Sequence, residues 1–360
     1  MKVLLFGDVF PTPETEKMFE QVQTDALFTD VRSLFDDADF AFVNLECPLT
    51  DCDTPIVKIG PPLKAPFNTA KVLKELGVNC CGMSNNHAFD YGPQGIRDTR
   101  KTLDEVGIDY TGFGENYEDS RKNYVFEKNG QKITIITVSE RNFSYASEDR
   151  MGCRPFDEFD TIADIRKAKA ESDRVIVLYH GAKENCRYPS PRVRKVYRAM
   201  VDNGADVVIN QHTHCIGSYE NYNDGHILHG QGNFHFIRHN RPEGWFSSLA
   251  TIYNTETNDI EFLPIATDKY SISLAKGEAA QKIMDDFHAR SEELHNGKWK
   301  DGWHEFCESQ RGQYLEVLKN MENAEPFGYD YNLLAHFIDC QANIDAWSEL
   351  FPPPRNQHLK

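Results

Sequence analysis

At Asn86-His87 the sequence changes from packing to chemistry. The apolar stretch containing Val78 and Met83 stops at Ser84-Asn85-Asn86-His87, and Asp90 and Gly92 follow. A carboxamide beside an imidazole at a strand exit offers one metal ligand and one proton donor. A metal needs further ligands, and Asp8, Glu46, His180, His212 and His214 each sit at or just past the end of an apolar run. Together with Asn86 they mix hard oxygens with imidazole nitrogens. That mixture suits one or two divalent transition ions (Mn, Fe or Zn) better than Ca. Two such ions could clamp a phosphoryl oxygen, leaving His87 as general acid for the leaving group.

Each residue also has a plainer reading. Asp8 alone would be a helix cap and Glu46 a loop carboxylate. Asn86 would be a turn residue and His87 a satisfied surface histidine. The joint placement favours a shared site, because ligands bind α/β sheets at successive strand ends. His212-x-His214 adds to this, since alternate residues of an extended backbone point the same way. His226, His229, His235 and His239 are expected to be structural or peripheral.

Several elements must position these groups. Lys2–Phe6 reads as a buried strand ended by Gly7-Asp8, and Glu14 to Asp37 as helical. Phe40–Glu46 repeats the pattern of strand followed by carboxylate. Cys47–Pro66 is rich in Pro and Gly, hence irregular, and carries Lys58 and Lys64, the cations expected to meet an anionic substrate. Thr69–Leu76 and Gly95–Val106 read as helices closed by Gly77 and Gly107, with a strand from Val78 to Met83 between them. Asn129-Gly130 signals a hairpin. Asp160–Ser172 and Val193–Asn203 are expected helices. The strands Arg174–Tyr179 and Ala205–Asn210 deliver His180 and then His212 and His214. His226–His229 and Phe246–Tyr253 read as strands around Gly230-Gln-Gly-Asn-Phe234.

This alternation predicts an α/β layered domain with a mixed sheet or two facing sheets. Residues 1–269 form that domain. Residues 270–360 read as a helical C-terminal extension packed on it, with Pro352–Pro354 closing its ordered part.

Composition narrows the function classes. The chain has 360 residues, 40% hydrophobic and 26% charged, as in soluble globular proteins. Its formal net charge of −17 argues against a nucleic-acid backbone binder, which concentrates Lys and Arg. A metal site can still draw in an anionic small molecule or polymer locally. The apolar run Val3–Phe6 is too short for a signal-peptide core, and no run approaches membrane length. Nine cysteines without a Cys-x-x-Cys pair fit reduced thiols in a cytoplasm, with Cys47 buried and inert.

Gly7-Asp8, Asn44-Leu-Glu-Cys-Pro-Leu49, Asn85-Asn-His-Ala-Phe-Asp-Tyr-Gly92, His180-Gly-Ala-Lys-Glu184, His212-Thr-His214 and Gly232-Asn-Phe234 occur in an order that resembles the CapA family. That family is named for poly-γ-glutamate capsule synthesis and is similar to calcineurin-like metallophosphoesterases. The resemblance spans residues 1 to about 265 and implies a four-layer α/β/β/α sandwich. It implies Asp8 and His214 on a first metal, and Asn86, His180 and His212 on a second. Glu46 then stands where phosphoesterases place a bridging Asp, with His87 as proton donor. Lys58, Lys64, Glu184 and Asn233 are the expected substrate contacts. Phe10 departs from the pattern, standing where an Asp-x-His pair would place a ligand, and Glu46 is longer than Asp.

The expected function is a metal-dependent hydrolase of phosphoesterase type, with capsule polymer metabolism as its context. Cleavage of an amide or acyl phosphate in polymer synthesis or release is the neighbouring chemistry. A non-catalytic polymer-binding or capsule-assembly protein that keeps the fold is the alternative of a different class.

Overall fold

The computed structural model describes residues 1–140, 143–321, 324–326 and 328–352, so the last two prolines of Pro352–Pro354 lie outside the described residues. Two sheets face each other. In the first, Lys2–Val9, Phe40–Leu45, Cys80–Gly82 and Asp109–Thr111 run parallel, side by side in that order. Beyond Lys2–Val9 come the antiparallel strands Ser247–Asn254, Asp259–Thr267 and Ile272–Leu274. Ile272–Leu274 carries the sheet past residue 269. The second sheet has the order Tyr219–Tyr222, Gly225–Leu228, Val207–Gln211, Arg174–His180, Gln131–Ser139, Tyr124–Lys128.

Strand alternation builds the layers. In the first strand Val3 and Leu5 point between the sheets, packing with Ile176, Leu178, Val207 and Ile209. Leu4 and Phe6 point the other way, into a core closed by Phe19, Phe28, Val72 and Ile96 from helical segments. In Arg174–His180, Ile176 and Leu178 face the inter-sheet core, while Val175, Val177 and Tyr179 face the helices Glu158–Glu171 and Pro191–Asp202. Each sheet is thus covered on both faces, which explains apolar runs without polar alternation. The order is helix, sheet, sheet, helix: an α/β/β/α sandwich.

Most element positions agree with the sequence to within a few residues. The Asn129-Gly130 hairpin forms between Tyr124–Lys128 and Gln131–Ser139, with φ of 53° and 76° at its two central residues. Residues 14–37 differ. They form three short helices, Glu16–Glu20, Thr24–Phe28 and Arg32–Asp36, with a 3-10 turn at Thr29–Val31. Phe19, Leu27, Phe28, Val31 and Phe35 from these separate segments all enter one core.

After the sheets the described residues form four helices: Gly277–Asn296, Trp299–Asn320, Tyr329–Asp339 and Gln341–Leu350. Phe287 of the first inserts into the inter-sheet core. The others form their own core from Trp303, Tyr314, Phe337 and Leu350, with Cys186 of the main chain body. A buried network pins the last helix: Arg192 donates to Asp345 at 2.8 Å and to Glu140 at 2.9 Å, and Tyr179 donates to Glu140 at 2.8 Å. Among the described residues no helix is long and apolar enough to cross a membrane.

Candidate metal centre

The parallel strands of both sheets end at one place. Asp8 lies near the end of Lys2–Val9, one residue past a register shift, and pairs across with Asn233. Gly7 permits that pairing, because a Cβ there would stand 2.1 Å from the Gly232 carbonyl oxygen. Glu46 follows Phe40–Leu45 directly and donates its N–H to the Val9 carbonyl at 3.0 Å. Asn86 and His87 lie in a turn after Cys80–Gly82. From the second sheet, His180 ends its strand, while His212 and His214 follow Val207–Gln211. Gln211 ties the two sheets beside the site, donating to the Phe6 carbonyl at 3.0 Å.

His212 and His214 do not lie on extended backbone. Their φ angles are 81° and 55°, in the left-handed region that costs a non-glycine residue on the order of 1–3 kcal/mol. That turn, rather than strand alternation, aims both rings at the cluster, with centroids 5.8 Å apart. The His212 N–H donates to Asp8 Oδ2 at 3.1 Å.

The donor atoms converge. His180 Nε2 lies 2.8 Å from Asn86 Oδ1 and 3.4 Å from Glu46 Oε1. Asn44 donates to Asp8 Oδ1 at 2.7 Å and touches His180 Nδ1 at 3.2 Å, fixing both. His214 donates Nδ1–H to Asn233 Oδ1 at 2.8 Å, which leaves Nε2 as its free donor. One donor atom each from Glu46, His180 and His212 lies within 4.8 Å of the other two; so it is for Asp8, Glu46 and His214, and for Glu184, His212 and His214.

The electrostatics ask for positive charge. Glu46 is fully buried, and neither carboxylate oxygen has a hydrogen-bond partner. Burial, then the neighbouring Asp8, pushes its pKa well above the usual carboxylate range. His214 is pulled the other way: burial opposes its charge, but Glu46 and Asp8 outweigh that and raise its pKa. Burial lowers His180 to about 4 against the pull of Asp8. His212 is driven well down by burial and the flanking imidazoles, and its buried Nδ1 lacks a partner. A neutral His212 imidazole with an unpartnered nitrogen, beside unbonded carboxylate oxygens, is metal-ligand chemistry.

His87 stands beside the cluster. Its Nδ1 lies 2.6 Å from Asp90 Oδ2 and 3.2 Å from Lys58 Nζ, and Lys58 pairs with Asp90 Oδ1 at 2.5 Å. Burial, then Lys58, lowers its pKa to about 4, with Asp90 opposing. The resting ring is therefore neutral, with Nδ1–H on Asp90.

A cavity of about 370 Å³ opens over this arrangement. Lys58, Asn86, His87, His180, His212 and Glu184 line it, and Phe306, Gln310, His336 and Asn343 of the C-terminal helices form another part of its wall. Lys64 is not in the lining. It donates to the Cys52 carbonyl at 2.7 Å and lies 5.1 Å from the Tyr91 ring centroid. Asn233 also stays out of the cavity, behind His214. Phe10 is buried against Phe236 and Arg238, so an aromatic wall stands beside Asp8. His226, His229 and His235 bond elsewhere, to Tyr219, Glu220 and the Tyr270 carbonyl. Burial and Glu46 push the Cys47 thiol far up.

Sequence reasoning missed three contributors. Asn44 and Asp90 lie inside the family motifs, where their polarity in otherwise apolar or strand-exit positions was the available signal. The cavity wall from residues past 300 had no local signal.

The family profile of the bacterial capsule synthesis protein PGA_cap matches residues 2–237. The chain is 33% identical over 251 residues to the PGA biosynthesis protein CapA of Bacillus subtilis (strain 168), covering 66% of this chain and 63% of that one. With the capsule biosynthesis protein CapA of Bacillus anthracis it shares 29% over 255 residues, 68% of this chain and 61% of that one. It therefore spans less than two-thirds of the length of either relative. Among solved structures, a hypothetical protein from Thermus thermophilus aligns with a TM-score of 0.46 and 16% identity, over 74% of this chain and 100% of that one. A putative 5'-nucleotidase from Staphylococcus aureus aligns at 0.45 and 13%, over 79% and 58%. The chain belongs to the bacterial capsule synthesis protein PGA_cap family.

Proposed function

We propose that this chain is a metal-dependent hydrolase of phosphoesterase type acting on an anionic substrate, with capsule polymer metabolism as its setting. One observation carries the reading: both buried oxygens of Glu46 lack any hydrogen bond, with Asp8 and three histidines around them. Leaving a buried carboxylate unsatisfied costs several kcal/mol, roughly, unless a cation compensates it.

The residues fit one or two divalent ions of the Mn, Fe or Zn kind. Asp8, Glu46 and His214 would hold one, and Glu46, Asn86, His180 and His212 the other. Such ions, when bound, supply Lewis acidity and charge neutralisation at an anionic centre. The chain supplies the rest. Asn44 and Asn233 orient the ligands. Asp90 holds His87 Nδ1, so that Nε2 is the atom left to carry a proton. An anionic substrate beside the ring favours the imidazolium and lets Nε2 deliver that proton to the departing oxygen.

The test couples metal content to turnover in the full chain. His212→Ala is expected to lower metal content and activity together. His87→Ala should keep the metal and lose roughly a hundredfold or more in kcat on alkyl phosphate esters, with a smaller loss on nitrophenyl esters, whose leaving groups need no proton. Equal losses on both would make His87 a positioning residue. The second reading, a polymer-binding or assembly protein without catalysis, is favoured by Phe10, whose ring replaces a ligand beside Asp8. It takes over if the wild-type chain binds no ion and hydrolyses nothing.

A further inference from the structure

Two lysines line the cavity, and they are not equivalent. The Lys58 charge is matched by Asp90, 2.5 Å away. Lys183 follows the metal-side His180 by three residues and lines the same cavity, yet no described carboxylate pairs with it. Its ammonium donates to Asn343 Oδ1 at 2.8 Å and sits 5.5 Å and 6.0 Å from the ring centroids of Tyr314 and Phe337. Tyr314 donates to the same Asn343 oxygen at 2.8 Å. All three contacts belong to the C-terminal helices, beyond residues 2–237 that match the family profile.

We propose that Lys183, set by the C-terminal helices, is an anion subsite of this cavity. The proposal rests on the hydrolase reading for what happens at the metal cluster, but not for the binding itself. A cation kept in a partly buried cavity without a counter-ion is costly, so its retention fits a ligand that brings the counter-charge. The ring faces and one amide oxygen soften that cost without neutralising it; burial still lowers the lysine pKa below its ordinary value. Glu184, the next residue in the chain, lines the same cavity and attracts the ammonium, but it forms no ion pair with it. The volume of about 370 Å³ suits a small molecule or the end of a chain.

Glutarate and its monoamide, glutaramate, are isosteric probes that differ by one charge. Calorimetric titration into the manganese-treated full chain should show glutarate binding about tenfold or more tightly. In Lys183→Met the two affinities should converge, while Lys183→Arg should keep part of the preference. Equal affinities in the wild type, or an unchanged preference in Lys183→Met, would overturn the proposal. Equal affinities in the wild-type pair overturn it whether or not a variant folds. Repeating the titration on metal-free chain separates the two readings: a preference that persists there supports the subsite even if no ion binds and no ester is hydrolysed.

Discussion

Glu46 and Glu220 are both buried carboxylates, and their surroundings are opposite. Glu220, in strand Tyr219–Tyr222, accepts from Arg194 at 2.8 Å, Arg198 at 2.6 Å and His229 at 3.1 Å. Burial works against its charge, yet His229 and the two arginines hold its pKa well below the usual range. Glu46 has no bond at either oxygen, and burial drives its pKa up. A compensated buried carboxylate is architecture, and an uncompensated one is a site that needs a cation from outside.

Breaking the comparison should expose this asymmetry. Glu220→Leu strands two guanidinium groups and is expected to cost about 3–5 kcal/mol in denaturant unfolding. Divalent-ion binding should survive it. Glu46→Gln keeps the shape and removes the acid. Its metal-free stability should be no lower than wild type, while the stabilisation by added Mn or Zn, about 2.7 kcal/mol at a hundredfold excess over Kd, should disappear. A large loss of metal-free stability in Glu46→Gln would place Glu46 in the same class as Glu220.

The contrast also shows what the sequence could reveal. Asp8, Glu46, Asn86 and His180 were legible because each interrupts or ends a run that is buried on both sheet faces. A polar group there has few purely structural uses. Asn129-Gly130 was legible because a type I′ turn requires left-handed φ at both positions. The left-handed turn at His212 and His214 was not, since its strain is offset by the Asp8 contact, a long-range term. Nor was the break of residues 14–37 into three helices, which depends on the core those phenylalanines share. The role of the C-terminal helices was hidden for the same reason: Asn343 lies 160 residues from the Lys183 it positions.

His235 supplies a third case, intermediate between the two carboxylates. It donates Nε2–H to the Tyr270 carbonyl at 3.3 Å, but its buried Nδ1 has no partner, between Phe19 and Phe28. Burial lowers its pKa to about 4 from the ordinary value of 6.5. The folded state therefore holds fewer protons than the unfolded one between these values. Its contribution is fully present above about pH 6.5 and is lost as pH falls toward 4, up to about 3 kcal/mol. Tm measured from pH 7.5 to 4.5 should fall less steeply in metal-free His235→Leu than in metal-free wild type. Parallel curves would show that His235 takes up no proton on unfolding in this range.

The smallest effect is expected at Lys64, and it sharpens the comparison by showing a charge that is neither buried nor needed. Lys58 and Lys64 leave the same irregular loop. Lys58 turns inward to Asp90 and His87, while Lys64 turns to the Cys52 carbonyl and the Tyr91 ring. An ammonium over an aromatic ring near the surface contributes about 0.5–1 kcal/mol. Lys64→Ala should therefore lower stability by no more than that and leave KM for an anionic ester within about threefold of wild type, since Lys64 does not line the cavity. A larger rise in KM, suppressed by salt, would mean that the loop swings Lys64 inward when substrate binds, and that the loop's two lysines act together.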